Sequence, residues 1–203
     1  NKGLKLIELL CSKIWKFKIS QPTKGSHMKK TVYVISGPAG VGKSTTSRKL
    51  VETLDRSAYL SGDDISHIPV NGRGKPWLDP KTNELTWKNI RCMTRNLLDD
   101  EYNVVIDYVA FPKEVQWLSG QLKDCDIRLV YVVLLVDRET IVARDRLRPV
   151  TEQMGERSLI LLDEFERDSE LPQANKLYTQ TYTVEQLPTI LAAIMTNDQY
   201  RIR

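Results

Sequence analysis

The spacing of apolar residues changes several times along the chain, and each change marks an element. Thr31-Val-Tyr-Val-Ile-Ser36 is a short apolar run that predicts a first strand, and Ser44–Leu54 then turns to helical spacing. A weak second strand is expected at Ala58-Tyr-Leu-Ser61, a third at Asn103–Tyr108 and a fourth at Ile127–Val136. The third and fourth are near-continuous β-branched runs, as expected of strands covered on both faces of a parallel sheet. A short fifth is expected near Lys176–Thr179.

Helical patterns separate these runs. Glu84–Asp100 places Ile90, Met93, Leu97 and Leu98 on one side, and Pro112–Lys123 opens with proline in its first turn. Arg138–Leu147, Glu156–Phe165 and a closing Val184–Met195 follow. This alternation predicts an α/β fold: a doubly wound, five-stranded parallel sheet with helices on both faces and right-handed crossovers. Ligands then bind beyond the carboxyl ends of the strands. Ile68–Pro80 reads as an irregular loop, placed where a substrate-covering segment would be useful.

Between the first strand and first helix stands Gly37-Pro38-Ala39-Gly40-Val41-Gly42-Lys43-Ser44, a complete G-x-x-x-x-G-K-[ST] phosphate loop, followed by Thr45. Its glycines let backbone N–H groups wrap phosphate oxygens at a helix N-terminus. Lys43 is expected to reach the β- and γ-phosphates of ATP, and the Ser44 hydroxyl to take a place on Mg²⁺. The octet predicts nucleoside triphosphate binding.

Composition narrows the class. Of 203 residues, 41 % are hydrophobic and 28 % charged, the balance of a globular protein, and no apolar run reaches the length of a membrane span. Cys11, Cys92 and Cys125 fit no metal spacing and read as reduced thiols of a cytoplasmic protein. The net charge of +4 is concentrated in residues 1–27, where six lysines against Glu8 give +5, leaving −1 for the rest. Gly25-Ser26-His27-Met28 resembles an expression-vector scar, so residues 1–28 are expected to be a foreign segment and 29–203 a single domain. The rival reading is a basic amphipathic helix, with Leu4, Ile7, Cys11 and Ile14 on one face, that touches anionic membranes. A near-neutral domain argues against long nucleic acid as a partner, and the sequence sets no oligomeric state.

Acidic and basic residues cluster where the strands end. In Ser61-Gly-Asp-Asp64, Asp63 is expected to accept the proton of an attacking hydroxyl, with Asp64 as the helix-side or Mg²⁺-water partner and a candidate substrate contact. The competing role for Ser61 or Asp63 is capping a short helix. Asp107, closing Val-Val-Ile-Asp, is expected to hold a water of the Mg²⁺ shell. Tyr108 follows it, where motor-type ATPases commonly carry a water-activating glutamate, which disfavours a hydrolytic engine. Arg144 and Arg148 lie four apart before Pro149 and are expected to stabilise the transferring group, with Arg157 a third candidate. The alternative is a solvated face paired with Glu139, Asp145 and Glu152. Arg73, Lys75 and Trp77, with Trp87 and Tyr108, are candidates for lining an acceptor pocket.

The order of phosphate loop, Gly-Asp-Asp, Val-Val-Ile-Asp and arginine-rich segment resembles the small-molecule branch of the P-loop kinases. Gluconate, shikimate and adenylylsulfate kinases, chloramphenicol phosphotransferase and zeta-toxin-like kinases belong there. The resemblance spans about Lys29 to Met195. It implies a P-loop NTPase sheet of order 2-3-1-4-5, ATP and Mg²⁺ as cofactors, a mobile arginine-rich lid, and Asp63 contacting the acceptor hydroxyl. Ser61 departs from it, replacing an aspartate often found there. The expected activity is an ATP-dependent kinase acting on a small-molecule metabolite, sugar-type compound or antibiotic. The alternatives are an ATP-dependent switch acting through a protein partner, and a nucleotide or nucleic-acid-end kinase.

Overall fold

The computed structural model describes residues 29–202; the vector-derived or membrane-touching segment expected at 1–28 lies outside the described residues. Five strands form one parallel sheet: β1 (Lys30–Ser36), β2 (Ser57–Ser61), β3 (Asn103–Asp107), β4 (Ile127–Leu135) and β5 (Lys176–Tyr178). Their order is β2-β3-β1-β4-β5, as the resemblance implied. β1, β3 and β4 are almost wholly buried, because their β-branched runs meet helices on both sides.

The helices are α1 (Lys43–Thr53), α2 (Gly62–His67), α3 (Pro80–Asp99), α4 (Pro112–Gln121), α5 (Arg138–Arg146), α6 (Glu156–Arg167) and α7 (Leu187–Thr196). α1 packs with α7, α3 with α4 and α5 with α6, a grouping that right-handed crossovers impose on this strand order. Among the described residues no helix is long and apolar enough to cross a membrane.

The third helix begins four residues before the expected Glu84. Asp79 caps it, accepting hydrogen bonds from the Lys81 and Thr82 amides, and Pro80 fits the first position, where no N–H is needed. The loop expected over Ile68–Pro80 therefore ends at Asp79. The last helix starts at Leu187, after a 3₁₀ turn at Val184–Gln186. Trp87 and Tyr108, expected to line an open pocket, are instead core: 3 % and 5 % exposed, with ring centroids 5.7 Å apart. The Tyr108 ring lies so close behind Gly62 that a Cβ there would approach it to 2.2 Å. A glycine at that point lets α2 press against the end of β3.

The register puts the chemistry on one edge. Ser61 and Ile35 both pair with Asp107, and Ser36 pairs with Val133, so the ends of β2, β3, β1 and β4 meet there.

Candidate active site

The phosphate loop leaves β1 through Gly37, at φ 132, where a Cβ would sit 2.2 Å from the Leu134 carbonyl oxygen. A side chain at Gly37 would thus push the loop off β4. α1 starts at Gly42 in the left-handed region, with no side chain bonded to its first N–H groups. Those orphan donors face the loop's hollow with the positive end of the helix dipole behind them. Lys43 Nζ donates to the Pro38 carbonyl at 2.8 Å, folding the ammonium back over its own loop. Burial lowers the Lys43 pKa; Asp107 and Asp63 oppose that shift and Arg148 adds to it. Asp107, Asp63 and Arg148, assigned from scattered sequence positions, therefore all lie near enough to Lys43 to act on its charge.

Ser61 caps α2, accepting from the Asp64 amide at 3.1 Å. Capping falls to Ser61, and the carboxylates of Asp63 and Asp64 carry no hydrogen bond among the described residues. Asp63 is exposed as a residue, yet the cleft removes enough water from its carboxyl to raise the pKa; Lys43 opposes this, and Asp107 adds to it. His67 turns its Nδ1 to the Asp63 carbonyl at 2.6 Å, a local contact within the helix.

Asp107 is 6 % exposed and its Oδ2 accepts from the Tyr59 hydroxyl at 2.7 Å. Burial raises the Tyr59 pKa, the Asp107 bond raises it further, and the Ser44 hydroxyl works against the rise. Tyr59 thus lies between the two residues expected at the metal, and its β2 position gave no local sign of this. Arg48 covers its ring at 4.5 Å.

The arginines divide. Arg144 donates to the Val41 carbonyl at 3.3 Å, fixing α5 to the phosphate loop. Arg148 sits 3.6 Å from Asp145. Arg157 pairs with Glu164 at 3.1 Å, a surface pair that takes it out of the candidate set. Arg73 bonds to Ser66, whereas Trp77 is 49 % exposed with Lys75 over its ring, outside the pocket beside Arg73.

Asp145, expected only as an arginine's partner, anchors the segment that follows. It is 5 % exposed and accepts from the Met154 amide at 3.1 Å and the Gly155 amide at 2.7 Å. Burial pushes its pKa up, but those amides and Arg148 outweigh it and leave the carboxyl below its ordinary value. The stabilisation is then present above the unfolded carboxyl pKa of about 3.9 and lost as pH falls through the lower folded value. In Asp145→Ala, hydrogen exchange at the Met154 and Gly155 amides should quicken about 10- to 100-fold at neutral pH, as loss of charge-assisted bonds demands. Unchanged exchange would remove the anchor.

The cradle suits a triphosphate tail with its cation: uncapped helix amides, an ammonium held by a carbonyl, and a hydroxyl and a carboxylate joined through Tyr59. Among the described residues no three carboxylate, histidine or cysteine side chains converge, so a Mg²⁺ here would rest on Ser44, Asp107 through water, and phosphate oxygens.

A family model described as an AAA domain matches residues 32–172. No curated protein matches the chain. Among solved structures it is similar to the tunicamycin resistance protein of Deinococcus radiodurans, at 19 % identity over 83 % of this chain and 96 % of that one, TM-score 0.58. It is also similar to the APS kinase of Mycobacterium tuberculosis (18 % identity, 83 % and 98 % covered, TM-score 0.58). A gluconokinase from Sinorhizobium meliloti 1021 gives 17 % identity, 81 % and 91 % coverage and TM-score 0.58. At such identities the likeness establishes the fold alone, that of a P-loop NTPase.

Proposed function

The chain belongs to the AAA-domain family, and from that premise we propose that it is a cytoplasmic ATP- and Mg²⁺-dependent kinase acting on a hydroxyl of a small molecule. One observation carries the reading: the Lys43 ammonium is folded over its own phosphate loop, 2.8 Å from the Pro38 carbonyl, within reach of the charges of Asp107, Asp63 and Arg148. Bound ATP and Mg²⁺ supply the transferable phosphoryl group and neutralise charge on it.

Gly37 and Ala39 to Thr45 would hold the phosphates through backbone amides, Pro38 having no N–H to give, and Lys43, now on the Pro38 carbonyl, would turn to a phosphate oxygen. Ser44 and Asp107 would hold the cation, with Tyr59 orienting the Asp107 carboxylate. Asp63, whose raised pKa makes it a better proton acceptor than an ordinary aspartate, takes the proton of the acceptor hydroxyl. Asp64, the next residue of the same helix, is a candidate for contacting the acceptor. Arg144 and Arg148 offer donors to the transferred group as α5 and the following segment close. Tyr108 is buried beside Asp107, so no carboxylate follows that aspartate to activate water, which favours transfer over hydrolysis.

Neighbours named as a resistance protein, an APS kinase and a gluconokinase single out no acceptor. The test is acceptor-dependent ADP release across a panel of hydroxylated metabolites, sugars and antibiotics. A rise of about tenfold or more over the acceptor-free rate is expected for at least one compound, with a phosphorylated product seen by mass. ADP release that no small molecule stimulates, but a macromolecule does, would replace this reading with that of a protein-coupled switch.

A further inference from the structure

On the premise that the cleft holds ATP and Mg²⁺, we propose that Tyr59 makes it selective for Mg²⁺ over Ca²⁺. Its hydroxyl occupies one Asp107 oxygen, so that a cation meets the other alone.

The strand register builds this contact. Tyr59 of β2 pairs with Val105 of β3, two residues before Asp107. Side chains alternate along a strand, so Tyr59, Val105 and Asp107 point to the same side of the sheet. From there the phenol reaches forward, and its hydroxyl donates to Asp107 Oδ2 at 2.7 Å. Arg48 of α1 lies over the ring, with its guanidinium carbon 4.5 Å from the centroid. Strand pairing along the backbone and a cation on the ring's face together hold the hydroxyl in place. Asp107 is buried, and its Oδ1 accepts no hydrogen bond among the described residues. One oxygen of this enclosed carboxylate is therefore committed, and one is left for a cation or its water.

That asymmetry separates two cations of equal charge. Mg²⁺ takes octahedral ligands at about 2.0–2.1 Å, keeps several of its waters, and needs only a single carboxylate oxygen. Ca²⁺ takes roughly six to eight oxygens at about 2.3–2.6 Å and often draws on both oxygens of one carboxylate. At Asp107 it would have to share Oδ2 with a donated proton, positive against positive. Among the described residues no group of three His, Cys, Asp or Glu supplies further ligands, so the discrimination falls on Asp107 and its partner. Hydrogen bonds to a metal-ligating carboxylate orient it and tune its affinity. Phenylalanine at position 59 would fill the same space and free the second oxygen.

The full chain is loaded with Mn²⁺ and a non-hydrolysable ATP analogue, and bound Mn²⁺ is followed by electron paramagnetic resonance. Mg²⁺ and Ca²⁺ are titrated in separately. The ratio of the Ca²⁺ to the Mg²⁺ concentration that displaces half the Mn²⁺ measures selectivity. In Tyr59→Phe that ratio should fall about tenfold, the scale of losing an outer-shell partner, while the analogue's affinity without metal stays within about twofold of the parent's. Arg48→Gln keeps the hydroxyl but loosens the ring, and should lower the ratio about threefold. A ratio at or above the parent's in folded Tyr59→Phe overturns the proposal, as does an equal loss of affinity for both cations, which a purely structural tyrosine would give. If Tyr59→Phe does not fold, an unchanged ratio in Arg48→Gln overturns it. Asp107→Asn tests the premise by itself, since bound Mn²⁺ should weaken at least about tenfold in that variant. Mn²⁺ that does not bind beside the analogue in the parent, or that binds regardless of Asp107, overturns the reading of the cleft as an ATP and Mg²⁺ site. Binding that depends on Asp107 with an unmoved ratio overturns the role of Tyr59 alone.

Discussion

Lys43→Ala should weaken ATP binding about 10- to 100-fold and cut turnover about 1000-fold, since it deletes the one ammonium aimed into the phosphate cradle. The larger effect on turnover follows from where charge develops, because the lysine would meet oxygens whose negative charge shifts during transfer. The loop should survive, because Gly37 is fixed against β4 and Arg144 against Val41 independently of the lysine. Fluorescence titration with an ATP analogue and an ADP-release assay separate the two effects. Normal turnover in a folded Lys43→Ala protein would remove the phosphate-loop assignment.

The same lysine predicts a pH dependence. Burial lowers its pKa, so it gives up its proton more readily than a free lysine as pH rises. Nucleotide affinity should therefore fall as pH rises through that lowered pKa, and the fall should vanish in Lys43→Ala. Stability moves the other way. The cost of holding the ammonium is full below the folded pKa and is relieved as pH climbs towards the unfolded value of about 10.4.

Local signals carried most of the fold. The phosphate loop is contiguous, β3 and β4 are unbroken apolar runs, and each could be read without knowing what it packs against. The start of α3 was hidden because Asp79-Pro80 looks the same in a turn and at a helix cap, and packing by Thr82 and Thr86 decides between them. Trp87 and Tyr108 looked like pocket walls because aromatics serve in both pocket and core. Their burial follows from Gly62 letting α2 approach β3, a long-range contact. Tyr59 and Asp145 were missed for one reason. Tyr59 reaches Asp107 from the far side of the β2–β3 pair, 48 positions away in sequence, and Asp145 meets Met154 and Gly155 only after the chain turns back past Pro149. Roles of that kind depend on register and loop path, which spacing does not encode.

Asp63→Asn should leave ATP affinity within about threefold of the parent and lower phosphoryl transfer about 1000-fold, the usual scale for losing a positioned base. Asp64→Asn should change transfer by no more than a few-fold, since the helix carboxylate that acts on Lys43 is that of Asp63 and the Asp64 amide is spent on the Ser61 cap. If Asp64→Asn collapses instead, the base lies one residue on. The parent's transfer rate should drop on the acid side below a pKa raised above the ordinary carboxylate value, and that limb should disappear in Asp63→Asn. Stability supplies an independent readout. A carboxyl whose folded pKa is raised is no burden at low pH, where both states are protonated. Its cost grows as pH rises through the folded pKa and is full above it. Asparagine removes that ionisation, so the melting temperature of Asp63→Asn at neutral pH should equal or exceed the parent's while its chemistry fails. A variant that lost activity by unfolding would show the opposite melting shift. Failure of chemistry without loss of stability is the result expected of a carboxylate held short of water for its chemistry rather than for structure.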